Sequence, residues 1–598
     1  MNPRVFAALT LILSAHLTCE AQESNPEPES QSARTASVPA EKAQRAEFDL
    51  ADKPAIEKRL AELLKKHVSV FNAPSDEALT PAELRLLRYS VRKEITALLA
   101  TEGYFTPTIS FDLETGAVSS LVHVKIDLGE PTRVASVAIN FSGDAVPKQL
   151  QQSISTDWEL PKNAVFRDDD WNRAKNKALY SLTEQSFAAA KISNSQATIQ
   201  DQLADLALDL DSGPPFLIGQ LRITGLHSYQ PWLIDRYHPP QTGDMYNREK
   251  LLKFQRDLQN SPYFSSVTVN VDPDPAVADA VPVEVLLTER KKYDVGLGGG
   301  YSTNTGLRGE VSLRDRDFLD DAYDLRSVIR IEQLRQTGFV DMYLPPRTDG
   351  YLDSVGVLFD RSDISSLVTS TSSLGGKRVI TDGDIERRLG LSFVYENSTV
   401  SGGPETLAKA LVSSIGWTRR KVNNVFEPRS GYIAQLDISG AAKAALSDQN
   451  FVRLYGKFQY WIPVADRDVI ILRADSGYVM ASSSNGIPEE YLFRAGGTAS
   501  VRGYSYQSLG VNQNNGIVGG RAMATATAEY VHWLEGSWGV AAFVDEGDAA
   551  DHFSALHLNQ GVGGGLRFKT PAGPIALDLG YGREVKKFRL DFSIGIAF

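Results

Sequence analysis

From about Lys291 to the last residue, Phe598, apolar and polar side chains alternate in one segment after another, and the polar side carries full charges. In the final segment Phe588, Leu590, Phe592, Ile594, Ile596 and Phe598 share one face, and Lys587, Arg589, Asp591 and Ser593 share the other. Val452, Leu454, Phe458, Tyr460 and Ile462 oppose Arg453, Lys457 and Gln459 in the same way. Ile470, Leu472 and Tyr478 oppose Arg473 and Asp475, and Leu307, Val311 and Leu313 oppose Arg308, Glu310 and Arg314. A period of two is the mark of a strand with two different surroundings. A soluble sandwich shows it as well. Segment length favours a transmembrane barrel, because runs of about ten residues cross a bilayer at a tilt. Aromatics near segment ends, at Tyr460-Trp461, Tyr530 with Trp533, and Trp538, point the same way. About sixteen candidate strands lie between Tyr293 and Phe598, an even number, with Ser365 to Asp384 the least well patterned.

The N-terminus places the chain outside the cytoplasm. Residues 1–21 read as a secretory signal: Arg4 supplies the charge, Val5 to Leu13 the apolar stretch, and Cys19-Glu20-Ala21 a cleavage site. Lipidation of Cys19 is the alternative, and Leu17 and Thr18 fit it poorly. Cleavage after Ala21 leaves no cysteine, hence neither disulfides nor thiol chemistry. No apolar run of ~20 residues follows, which excludes a mature transmembrane helix. Residues 22–47, rich in Glu, Ser, Pro and Gln, read as a disordered leader. The net charge of -12 argues against nucleic acid as a partner.

Between Phe48 and Glu289 an amphipathic helix followed by two strands recurs about every eighty residues. The first helix starts at Thr80-Pro81-Ala82-Glu83, a capping box with proline at the first helical position. Its apolar stripe is Leu84, Leu87, Val91, Ile95 and Leu98; the later stripes are Trp171, Ala174, Ala178, Leu182 and Leu251, Phe254, Leu258. An aromatic corner follows each helix, at Tyr104-Phe105, Phe187 and Tyr263-Phe264. The joints repeat too: Asp127-Leu128-Gly129-Glu130-Pro131 matches Asp211-Ser212-Gly213-Pro214-Pro215. Chance likeness among small α+β domains explains these coincidences less well than a repeat. The boundaries are therefore 48–129, 130–213 and 214–289, with a barrel over 290–598. The fold class is α+β plus all-β: three βααββ domains, then a 16-stranded antiparallel barrel.

Little points to catalysis or a cofactor. His532, His552 and His557 lack metal-ligand spacing. Leu374-Gly375-Gly376-Lys377 lacks the spacing of a phosphate loop, and Gly296 to Gly300 precedes no helix. No cofactor, no metal and no enzymatic activity are expected.

Several motifs resemble a known family. Phe493-Arg494-Ala495-Gly496-Gly497 with Ser500-Val501-Arg502-Gly503-Tyr504 is similar to the signature loop of the outer-membrane assembly and translocation proteins that carry POTRA domains before a barrel, the bacterial surface antigen family. Phe543-Val544-Asp545-Glu546-Gly547 resembles that family's F-x-D-x-G strand, and Pro571 to Ile575 with Leu577-Asp578 its penultimate strand. Phe598 is similar to the recognition end of such barrels, although Ser593 stands where glycine is frequent. Three units before the barrel resemble the TamA-like branch, where others carry five or two. The resemblance implies that the loop folds into the lumen and that Asp545 pairs with Arg502. A lumenal guanidinium is costly unless paired; the bland reading is an exposed arginine in a surface loop.

An assembly machine of this kind needs a free strand edge, which a closed barrel lacks. Gly296, Gly298, Gly299 and Gly300 weaken the first strand, and Gly595 and Phe598 belong to the last, so a lateral gate is expected between Tyr293-Tyr301 and Phe588-Phe598. The partners implied are the outer-membrane bilayer, unfolded outer-membrane proteins such as autotransporters, and a TamB-like periplasmic protein anchored in the inner membrane. A secretion pore for a dedicated exoprotein, a general insertase and a passive porin are the competing readings; the arm argues against the porin.

Overall fold

The computed structural model describes residues 44–50, 58–72, 78–115, 119–144, 146–571 and 574–594. The expected signal (1–21), most of the expected leader, and Gly595 and Phe598 lie outside them. The first sheet runs Ala78–Leu79, Gln44–Leu50, Ser119–Asp127, Thr108–Thr115. Gln44–Leu50 pairs in parallel with Ser119–Asp127, so strand structure begins ahead of the boundary expected at residue 48. The composition before Phe48 is polar, and the strand is seen in its backbone pairing. The helix Pro81–Thr101 starts at the capping box, with the Thr80 hydroxyl accepting from the Glu83 N–H and the Glu83 carboxylate accepting from the Thr80 N–H. Val91, Ile95 and Leu99 are fully buried on one face of it.

In the second sheet Leu203–Asp211 lies between Arg133–Ser142 and Lys191–Gln200. Trp171, Ala174, Ala178 and Leu182 of the helix Asp168–Thr183 are buried. The repeated joints are repeated turns. Asp127 Oδ1 accepts from the Gly129 N–H at 3.2 Å and Asp211 Oδ1 from the Gly213 N–H at 3.1 Å. Both glycines take a left-handed backbone.

The third sheet has Val281–Glu289 between Ile218–Thr224, parallel to it, and Phe264–Val271, antiparallel to it. Leu251, Phe254 and Leu258 of the helix Arg248–Gln259 pack on it with Tyr229, Tyr263 and Phe264. Ala322, in the turn between the second and third barrel strands, belongs to the same core. The Tyr263 hydroxyl donates to the Ala322 carbonyl at 2.8 Å and the Tyr229 hydroxyl to the Arg316 carbonyl at 3.4 Å. Glu289 closes the domain by accepting the N–H groups of His227, Ser228 and Tyr229. Burial pushes its carboxyl up, but these donors outweigh that and hold it below its ordinary value. The stability it contributes is therefore complete above that ordinary value and is lost as pH falls beneath it.

Sixteen antiparallel strands form one sheet in chain order from Tyr293–Ser302 to Lys587–Ile594, a nearly closed barrel. Val311, Leu313, Val452, Leu454, Phe458, Tyr460, Leu472, Phe588 and Leu590 are exposed on its outer face. Charges on the inner wall pair with adjacent strands or turns, as in Arg314–Asp324 (2.7 Å), Arg330–Glu310 (2.7 Å) and Arg335–Asp360 (2.7 Å). The least well patterned segment is a strand, and one expectation is corrected. Ser365 to Asp384 contains a 16-residue strand, Leu367–Asp382. Its alternation is weak because Leu367, Thr369 and Thr371, on its inner face, are themselves buried. Trp461 and Trp533 do not face outward: both are buried, while their neighbours Tyr460 and Tyr530 point out. Side-chain alternation forces this, since 460 and 461 lie on opposite faces.

Gly225 ends its strand at φ +89°, and an added Cβ would sit 1.9 Å from the Leu287 carbonyl oxygen. Gly243 has φ +90° and open space around it. Gly225→Ala should expose the third domain to protease in the intact chain, whereas Gly243→Ala should cost only about 1 kcal/mol, the backbone term. Equal protease sensitivity of the two variants would contradict this packing.

Candidate functional site

A 41-residue connection, 481–521, joins the strands Asp468–Met480 and Ala522–Trp533. Its middle is buried, which is unusual for a loop: Val501 is 0 %, Arg502 3 % and Tyr504 2 % exposed. The wall beneath it is built for contact. Gly561, Gly580 and Gly582 lie where any Cβ would strike the backbone of Arg502 or Gly503. Gly503 itself has φ +91°, and its own Cβ would meet the Gly582 nitrogen at 2.6 Å. Gly496 and Gly497 also take positive φ. Backbone thus lies flat on backbone, and one long side chain can reach along the wall.

That side chain is Arg502. It makes a fork to Asp545, Nε to Oδ2 at 2.8 Å and Nη2 to Oδ1 at 2.9 Å, while its backbone N–H donates to Oδ2 at 3.0 Å. Nη1 donates to Glu529 at 2.8 Å and to Asp578 at 2.9 Å. The guanidinium lies over the Phe543 ring, 3.4 Å from its centroid. Arg567 binds the same two carboxylates from the other side, at 2.7 Å to Glu529 and 2.5 Å to Asp578. Two guanidiniums therefore share three buried carboxylates. Every nitrogen of the Arg502 guanidinium donates, which is what makes a buried ion cluster tolerable.

The structure thus brings Arg502, Phe543 and Asp545 together. Gly547 lies higher on the same strand, packed on Thr525. Tyr504 places its hydroxyl on Glu584, and the Gly503 N–H donates to Asp591 of the last strand at 3.3 Å. Glu529 and Arg567 were not singled out from the sequence. Their signal was present: Glu529 is the one acid in Ala522–Trp533, and Arg567 ends a glycine-rich run.

Among the described residues, no strand ladder joins the first barrel strand to the last. The Phe592 N–H donates to the Thr303 hydroxyl across this seam at 3.2 Å. Gly296, Gly298 and Gly300 leave one face of the first strand bare, and Gly299 stands opposite Gly309 of its neighbour. A Cβ at Gly298 or Gly299 would meet nothing closer than 3.5 Å. Val295, Leu297 and Tyr301 are exposed.

Removing Arg502 strands three carboxylates against Arg567 alone, a loss of about 3–5 kcal/mol by the usual cost of breaking a buried pair. Arg502→Ala should lower the temperature at which the barrel loses its folded gel mobility, and Arg502→Lys should recover part of it. A single Arg502–Asp545 pair predicts rescue by exchanging the two charges. With Glu529 and Asp578 also in contact, an aspartate at position 502 faces like charges, so the exchange should rescue poorly. Unchanged stability of Arg502→Ala would contradict the cluster's role.

Residues 294–598 match the model of the Omp85 superfamily domain, and residues 216–290 match the POTRA model described as a surface antigen variable number repeat. The chain is 22 % identical over 539 residues to an outer membrane protein assembly factor BamA of Nitratidesulfovibrio vulgaris, covering 84 % of this chain and 67 % of that protein. A BamA of Neisseria meningitidis serogroup B is 21 % identical over 591 residues, covering 85 % of this chain and 72 % of that one. The crystal structure of Haemophilus ducreyi BamA lacking POTRA domains 1–3 shares the fold, with a TM-score of 0.62 at 16 % identity, over 77 % of this chain and 98 % of that one. A family model that spans half of the chain, a barrel of sixteen strands and a POTRA domain leading into it place the chain in the Omp85 superfamily.

Proposed function

We propose that this chain is an outer-membrane assembly factor that admits unfolded outer-membrane proteins, autotransporters among them, through the seam between its first and last strands. The observation that carries the reading is a seam with no strand ladder among the described residues, beside a glycine-stripped first strand. An unpaired edge is a template for a further strand. Substrate strands would add to it one by one, with the bilayer reached sideways rather than through the lumen. The barrel sits in the outer membrane, with the three α/β domains in the periplasm offering further sheet edges. No nucleotide or metal enters this scheme, since inserting a finished barrel is downhill and the protein lowers the barrier. The relatives named as assembly factors support the class.

Three domains ahead of the barrel favour a TamA-like member working with a TamB-like partner. The general insertase and the secretion pore make different predictions. Deletion of the chain should deplete particular barrel proteins from the outer membrane. Loss of one secreted protein with unchanged outer-membrane content would favour the pore.

The direct test closes the seam. Thr303→Cys with Phe592→Cys places a thiol on each of the two residues that already touch across the seam. Oxidation should stop insertion of substrate into reconstituted vesicles, and reduction should restore it. Full insertion with the seam oxidised would overturn the gate.

A further inference from the structure

The barrel's long loop contacts both sides of the seam within nine residues of sequence. On one side, the Asn304 side-chain amide donates to the Thr498 hydroxyl at 3.1 Å. Asn304 lies in the turn that follows the first strand, and its Oδ1 packs so closely on Gly497 that a Cβ there would come to 3.1 Å. On the other side, the Gly503 N–H donates to Asp591 Oδ2 at 3.3 Å, and the Arg589 guanidinium donates to the Ser505 hydroxyl at 2.9 Å. Asp591 and Arg589 both belong to the last strand. Asp591 is 2 % exposed, and its second oxygen has no hydrogen-bond partner among the described residues.

These contacts are of a different kind from the ones that hold the loop down. The Arg502 cluster fixes the loop to Ala522–Trp533, Trp538–Ala550 and Ile575–Gly582, none of which borders the seam. Residues 497–498 and 503–505 instead hold the two strands that must part. The first hairpin reaches the loop through one neutral hydrogen bond and one packed glycine. The last strand reaches it through a single N–H on a half-satisfied carboxylate and one arginine. A buried carboxylate with a free oxygen is a weak point, since leaving costs it little pairing.

The geometry points to a staple: the loop bridges the seam, and Asn304 with Thr498 forms the clasp that sets how readily the first hairpin separates from the last strand. This rests on the lateral-gate reading and names the residues that regulate it. Asn304 and Thr498 are positioning residues, since neither lies on the strand edge where a substrate would pair. Opening begins on the Asn304 side, where one neutral bond to the loop must break together with the Phe592–Thr303 bond across the seam, while Arg502 keeps the loop seated on the wall.

The test measures the seam width in the full chain. Leu307 of the second strand and Leu590 of the last are exposed on the outer face, and Cys19 is the chain's one cysteine. Nitroxide labels on Leu307→Cys and Leu590→Cys, in a Cys19→Ser background in lipid nanodiscs, report their separation by pulsed electron resonance. The labelled chain with Asn304 and Thr498 intact should give one narrow distribution. Asn304→Ala and Thr498→Val should each add a longer-distance population, raising the open fraction about three- to tenfold, the weight of one hydrogen bond. The double variant should open no further than either single, because both remove the same bond. Folded gel mobility identifies any variant that fails to assemble, and Asn304→Asp, which keeps an oxygen able to accept from the Thr498 hydroxyl, serves as the milder change. Unchanged distributions in both single variants, or additive opening in the double, would overturn the staple. The gate stands or falls separately: if the distances do not move but the oxidised seam still blocks insertion, the staple is wrong and the gate holds. If the distances move while the oxidised seam remains active, the gate is wrong and the staple holds.

Discussion

The barrel depends on a buried ion cluster that anchors a loop against its own wall. Arg502 is satisfied by Asp545, Glu529 and Asp578, and Arg567 holds two of those carboxylates in place. Such a cluster adds little net stability when complete and costs several kcal/mol when one member is lost. Its value lies in specificity. The guanidinium fork, the aromatic ring beneath it and the glycine floor together allow one seating for residues 501–504. With that seating fixed, Gly503 and Ser505 reach the last strand and Thr498 reaches the first hairpin.

The first strand is the complement of that rigid site. Elsewhere in the barrel, inner-wall charges pair between strands and turns and outer side chains form an apolar band. In Tyr293–Ser302 the inner face is mostly glycine, so the strand adds few side-chain contacts to its ladder with Gly306–Phe318. At the arm end, Ala322 sits in the core of the third domain, its carbonyl accepting from Tyr263 while the Arg316 carbonyl accepts from Tyr229. The turn after the second strand is thereby tied to the POTRA domain. The seam is left as the place where the sheet can give.

Much of this was legible in the residues. Period-two alternation identified the strands, and the outward positions of Phe588, Leu590, Val452 and Phe458 follow from it. The capping box at Thr80 and the two D-x-G-x-P joints carry their geometry locally, so they could be read without the fold. Closeness to a strand end marks Trp461 and Trp533 for the membrane interface, but parity along the strand turns both inward. The strand Gln44–Leu50 starts inside the polar stretch that composition marks as a leader. Arg502 and Asp545 were found through resemblance, whereas Glu529 and Arg567 required the register that brings distant strands side by side. The clasp at Asn304 is invisible in sequence, since a turn asparagine has many local uses.

The central claim is that substrate reaches the membrane through the seam, by pairing with the first strand. Photo-crosslinking during insertion tests it most directly, with the reactive side chain placed at Leu297 on the exposed first strand or at Gln459 on the inner wall. The account predicts crosslinks from position 297 to the terminal strand of a folding substrate, and few from position 459. Crosslinks concentrated at 459, with none at 297, would show passage through the lumen and contradict the account.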